Sequence, residues 1–92
     1  MTITKMGISP EEFRIQLGAE IRRLRETKGW SQERLGAKVG IHRNTMARYE
    51  TGDDIPVMVF LRICTALGSH GKDVLERVLP DAEERIAAAN GG

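Results

Sequence analysis

The sequence predicts a compact all-α fold of five helices. Three observations carry that prediction. Apolar residues recur at spacings of three and four. Serine caps and glycine stops bracket the periodic segments, at Ser9, Ser31, Gly29, Gly40, Gly52 and Gly68. The one run that suits a buried strand, Val57-Met58-Val59-Phe60-Leu61, has no partner strand elsewhere in the chain and is read as helix.

Ninety-two residues allow one small domain. With 40 % apolar residues and four aromatic ones, the core is built of Leu, Ile, Val, Met and Ala. A single cysteine cannot form an internal disulfide, which suits a reducing compartment. No apolar run reaches the length of a membrane span, and the start MTITKMG lacks the apolar stretch of a signal peptide. A cytoplasmic protein, in contact with the nucleoid if it binds DNA, is the expectation. The expected organisation is an arm over 1–8, a domain over 9–80 and a short helical extension over 81–92.

Ser9-Pro10-Glu11-Glu12 starts the first helix. Serine caps, proline takes the first helical position and Glu12 stands where a capping box needs it. Phe13, Leu17, Ile21 and Leu24 then form one stripe, and the helix runs to Lys28 with Gly29 at its end. Ser31 caps the second helix. Trp30 and Leu35 flank that start as a hydrophobic staple, Leu35 and Val39 face inward, and Gly40 stops the helix. The third helix covers His42 to Glu50, with Ile41, Thr45/Met46 and Tyr49 inward and His42, Arg43, Asn44, Ala47 and Arg48 outward. After the turn Asp53-Asp54-Ile55-Pro56, the residues Phe60, Ile63, Cys64 and Leu67 give the fourth helix one buried stripe. Cys64 is read as core packing, since no histidine pairs with it. Lys72–Leu79 is the fifth helix, with Val74, Leu75, Val78 and Leu79 inward and Pro80 ending it. Asp81 to Glu84 repeats the capping pattern before Arg85–Ala89, where Ile86 is the only large apolar residue.

Charge is segregated. The net value is only +1, but residues 14–50 carry nine Lys/Arg against four Glu, while residues 51–92 carry four against seven acidic groups. A basic module on a mildly acidic remainder suits nucleic acid; a plain solvated surface explains the number of charges but not their segregation. His42 and His70 are isolated and have no second ligand at metal spacing, and no glycine-rich phosphate loop follows a strand. No enzyme activity, cofactor or metal is expected.

Two short helices joined at a glycine turn, the second with a polar outer face, form either a helix-turn-helix or a plain helical hairpin. The residues Ser31-Gln32-Glu33, Leu35, Gly40, Ile41, Thr45, Met46, Tyr49-Glu50 and Gly52 decide in favour of the first. They resemble the signature of the lambda-repressor-like (Xre/Cro-type) DNA-binding domains, and the resemblance runs from about Leu17 to Leu79. It implies a sequence-specific transcriptional regulator, acting as a repressor on double-stranded DNA. Arg43 suits guanine N7 and O6, and Asn44 suits adenine N6 and N7. Arg48, one turn on, reaches a further base or a phosphate. Gln32, Thr45 and Thr51 are the expected backbone contacts, and Gln32 resembles the family glutamine that also buttresses the first base-reading residue. The resemblance further implies an internal ion pair between Arg25 and Glu50. Without it, Arg25 faces solvent or a phosphate.

The chain departs from the family pattern at two places. Histidine stands at His42 where the family has a Ser or Thr cap. Either the cap is looser or His42 itself touches DNA. Gly36 stands where the family has alanine, at a cost of about 0.5–1 kcal/mol within a helix. A homodimer on an inverted repeat is expected, with Val57, Met58, Leu61 and Ile86 as its candidate surface. The alternative function is an antitoxin or other protein-interaction module that binds a toxin or other partner protein and autoregulates its promoter.

Overall fold

The computed structural model describes residues 9–79, and all five of its helices are short except the first. Helix α1 is Pro10–Thr27, α2 Gln32–Val39, α3 Arg43–Glu50, α4 Val57–Ala66 and α5 Gly71–Val78. The expected arm over 1–8, Pro80, and the extension over 81–92 with Ile86 lie outside the described residues.

The first two starts are capped by serine. Ser9 Oγ accepts from the N–H of Glu12 at 3.1 Å, and Ser31 Oγ accepts from that of Arg34 at 3.0 Å. Pro56 precedes α4 as its cap residue, with no side-chain cap. The turn after α2 depends on Gly40, at φ +80°, a left-handed conformation that a Cβ would strain. Trp30 is half-buried in the turn between α1 and α2, and Lys28, Arg34 and Lys38 stand 5.2, 5.1 and 4.9 Å from its ring centre.

The core collects one stripe from every helix: Leu17 and Ile21, Leu35 and Val39, Met46, then Phe60, Ile63, Cys64 and Leu67, and Val74 with Val78. Leu75, expected inward, is instead 37 % exposed. Val74 and Val78 are four residues apart and fill the inner face of a helix this short, which turns Leu75 outward.

Helix α1 packs on α3 and α5, and α2 on α3 and α4. At the α1–α3 crossing, Gly18 lies directly against the main chain of Tyr49 and Glu50, and an added Cβ would overlap the Tyr49 carbonyl oxygen. Gly36 does the same for α2, where a Cβ would stand 2.6 Å from the Ile41 carbonyl oxygen. The two glycines let α1 and α2 close on α3 and fix its direction. Two residues further along α1, Glu20 accepts from Arg77 of α5 and from Arg23 within its own helix.

Candidate nucleic-acid interface

Helix α3 is held by its inner face and presents its outer one. Met46 is fully buried, and Glu50 is buried at the helix end. The Glu50 carboxylate accepts Arg25 Nε at 2.6 Å and Arg25 Nη2 at 3.0 Å, a two-point grip on a guanidinium. Arg25 Nη1 donates onward to the Trp30 carbonyl at 2.6 Å, which ties in the α1–α2 turn. The hydrogen bond to Glu50 is also the main reason why the Arg25 pKa is raised. Gln32 Nε2 completes the group by donating to Glu50 Oε1 at 3.0 Å. Helices α1, α2 and α3 therefore meet on one carboxylate.

On the outer face, Arg43, Asn44 and Arg48 are all exposed. Arg43 makes no ion pair among the described residues. Arg48 Nε donates to Asp53 at 3.1 Å, but both side chains are more than half exposed. Such a surface pair is worth about 0–1 kcal/mol and yields easily to a stronger acceptor. His42 caps α3, its Nδ1 accepting from the N–H of Asn44 at 3.0 Å. A recess of about 230 Å³ opens beside this helix start, lined by Glu33, Ala37, Ile41, His42 and Arg43.

The expected backbone contacts are placed less openly. The Gln32 amide nitrogen is turned onto Glu50 rather than toward Arg43. Thr45 is half-buried. The Thr51 hydroxyl donates to the carbonyls of Ala47 and Arg48, both at 3.1 Å, and so closes the end of α3. Val57, Met58 and Leu61 are 71, 65 and 44 % exposed on α4. A shallow groove of about 310 Å³ runs between Met58, Leu61 and Arg62 on one side and Lys38 on the other.

A two-helix unit crossing at Gly40, with its second helix pinned from behind and polar in front, has the helix-turn-helix layout. The sequence profile of the helix-turn-helix domain matches residues 16–77, which includes every element just described except the start of α1 and the end of α5. The chain belongs to the helix-turn-helix domain family. It is a DNA-binding transcription regulator of the Xre-like kind. Among its helix-turn-helix relatives, the HTH-type transcriptional regulator YgzD of Bacillus subtilis is 41 % identical over 56 residues, covering 60 % of this chain and 85 % of that one. The SPbeta prophage-derived regulator YonR, also of Bacillus subtilis, is 30 % identical over 84 residues, covering 80 % and 78 %. The crystal structure of the clp gene regulator ClgR from Corynebacterium glutamicum matches with a TM-score of 0.71 at 24 % identity, over 85 % of this chain and 84 % of that one. That likeness is one of fold.

No helix among the described residues is long and apolar enough to cross a membrane.

Proposed function

We propose that this regulator is a cytoplasmic repressor that reads an operator by laying α3 in the major groove. The observation that carries this is the two-sidedness of α3. Its back is fixed by Met46, Glu50 and the Gly18 crossing, while Arg43, Asn44 and Arg48 share the open side. The B-DNA major groove admits one α-helix and gives each base pair a distinct edge. Arg43 forks onto guanine N7 and O6, and Asn44 bridges adenine N6 and N7. Arg48 exchanges Asp53 for a further base or a phosphate. The uncapped main-chain N–H groups at the start of α2, together with Thr45 of α3, receive the flanking phosphates.

An eight-residue helix spans about 12 Å and meets only a few base pairs, too few to single out a site in a genome. A twofold dimer on an inverted repeat, with its helices about 34–36 Å apart, supplies the missing specificity. The exposed Val57, Met58 and Leu61 support a contact between copies at α4. Occupying the operator as a dimer blocks transcription without any chemistry at the site.

The experiment is stoichiometry on a selected operator, by sedimentation or native mass spectrometry. Two protomers per full-affinity site and a footprint with inverted symmetry are expected. One protomer on an asymmetric footprint rejects the dimer. A stoichiometric protein that copurifies and competes with DNA moves the reading to the antitoxin class.

A further inference from the structure

Every neutral imidazole has one bare nitrogen and one that carries hydrogen. In His42 the structure decides which is which. The Asn44 N–H donates to Nδ1 at 3.0 Å, so Nδ1 is the bare acceptor. A hydrogen on Nδ1 would point straight at another N–H. The proton of the neutral ring is therefore on Nε2, on the far edge of an exposed side chain. His42 lines the same recess as Arg43, the first residue of α3.

We infer that His42 has two simultaneous roles, Nδ1 as the cap of α3 and Nε2–H as a neutral, tautomer-fixed donor to an acceptor atom of bound DNA. This rests on the reading of α3 as the base-reading helix. A serine or threonine cap cannot do both, because its short hydroxyl is folded back onto the helix start. The imidazole spans the cap and still extends a donor about one ring width beyond it. The donor selects against exocyclic amino groups and for acceptors. Those are guanine N7 or O6, adenine N7 and thymine O4 on base edges, or a phosphate oxygen. Two charged side chains line the recess beside it, Glu33 from α2 and Arg43 from α3. Arg43 carries the charge at this point, so His42 adds selection without adding charge.

The test separates the two roles, because serine and threonine cap a helix start but their short hydroxyl does not extend a donor beyond it. His42→Ser and His42→Thr are compared with wild type on one operator at pH 8. Both are expected to keep the melting temperature and to bind about three- to tenfold more weakly, the worth of one neutral hydrogen bond. The salt dependence of binding is expected to stay the same, since a neutral donor displaces no counterion. Loss of preference at one base position assigns the acceptor to a base edge. An even loss over all operator variants assigns it to a phosphate. Nitrogen-15 spectra of the wild-type imidazole should show Nε2 protonated and Nδ1 bare, and the opposite tautomer overturns the assignment whatever the variants do. Full affinity in both variants, while Arg43→Ala loses affinity, makes His42 a cap alone and leaves the α3 reading standing. Full affinity in all three rejects both. A salt slope lowered by about one in His42→Ser means a cationic ring on DNA and also overturns the neutral donor.

Discussion

Arg25 and Glu50 hold each other through two parallel hydrogen bonds in the interior of the domain, although twenty-five residues separate them. Their side chains are only 9 and 1 % exposed. The pair joins the last turn of α1, the longest helix among the described residues, to the last residue of α3. Glu50→Ala leaves a buried guanidinium without its partner, a loss of about 3–5 kcal/mol. In a domain of this size each kcal/mol moves the melting temperature by about 4–8 °C. A fall of at least about 12 °C is expected by calorimetry without DNA. An unchanged melting temperature would show that the pair is solvated.

Gly18 sets how closely α1 approaches α3. In Gly18→Ala the new methyl group meets the Tyr49 carbonyl oxygen and the Glu50 main chain, neither of which is the mobile end of a side chain. The helix propensity of alanine favours the substitution by about 1 kcal/mol. Overpacking opposes it by about 1–3 kcal/mol and should win, because backbone has to move. Urea denaturation checks the sign. A stabilised variant would mean that the two helices separate freely.

Glu20 gives the fold a specific sensitivity to acid. The hydrogen bond from Arg23, then that from Arg77, hold its carboxyl below the usual carboxylate range against the opposing effect of burial. A carboxyl lowered on folding contributes stability above its unfolded-state value, and loses it as pH falls through the lower folded-state value. Glu20→Gln should therefore melt below wild type at pH 7, and the gap should close as the pH is taken below about 4. Melting curves that stay parallel across this range would show that Glu20 ties nothing down.

Cys64 is buried, and desolvation pushes its thiol pKa up. A thiol kept protonated and covered is inert to alkylation. Labelling of the native protein should be slow and should speed up with urea in step with unfolding. Fast labelling in native buffer would mean that α4 opens locally.

The helices were legible because their signals are local. Ser9 and Ser31 cap, Gly40 turns, and the stripe from Phe60 to Leu67 needs only spacing to be seen. The run from Val57 to Leu61 resolves to helix because the chain offers it no strand. What was not legible depends on how helices cross. Gly18 reads as a weak helix former until α3 is laid across it, and its one sequence signal is its place beside Leu17 on the inner side. Leu75 follows the apolar pattern yet points out, because a two-turn helix has room for only Val74 and Val78 beneath it. The turn of Gln32 onto Glu50 is likewise set by the approach of α2 to the Arg25–Glu50 pair. At His42 the residue type leaves a looser cap and a DNA contact as alternatives. The ring geometry makes Nδ1 the cap and leaves Nε2 outside it.

The central claim is that α3 reads bases, and Arg43 tests it most directly. The measurement is the affinity of wild type and Arg43→Ala for a selected operator and each of its single-base variants, at one fixed salt concentration. Arg43→Ala is expected to bind the operator more weakly by about 1–3 kcal/mol and to lose its preference at one base position only. Unchanged affinity with unchanged preference at every position would contradict it.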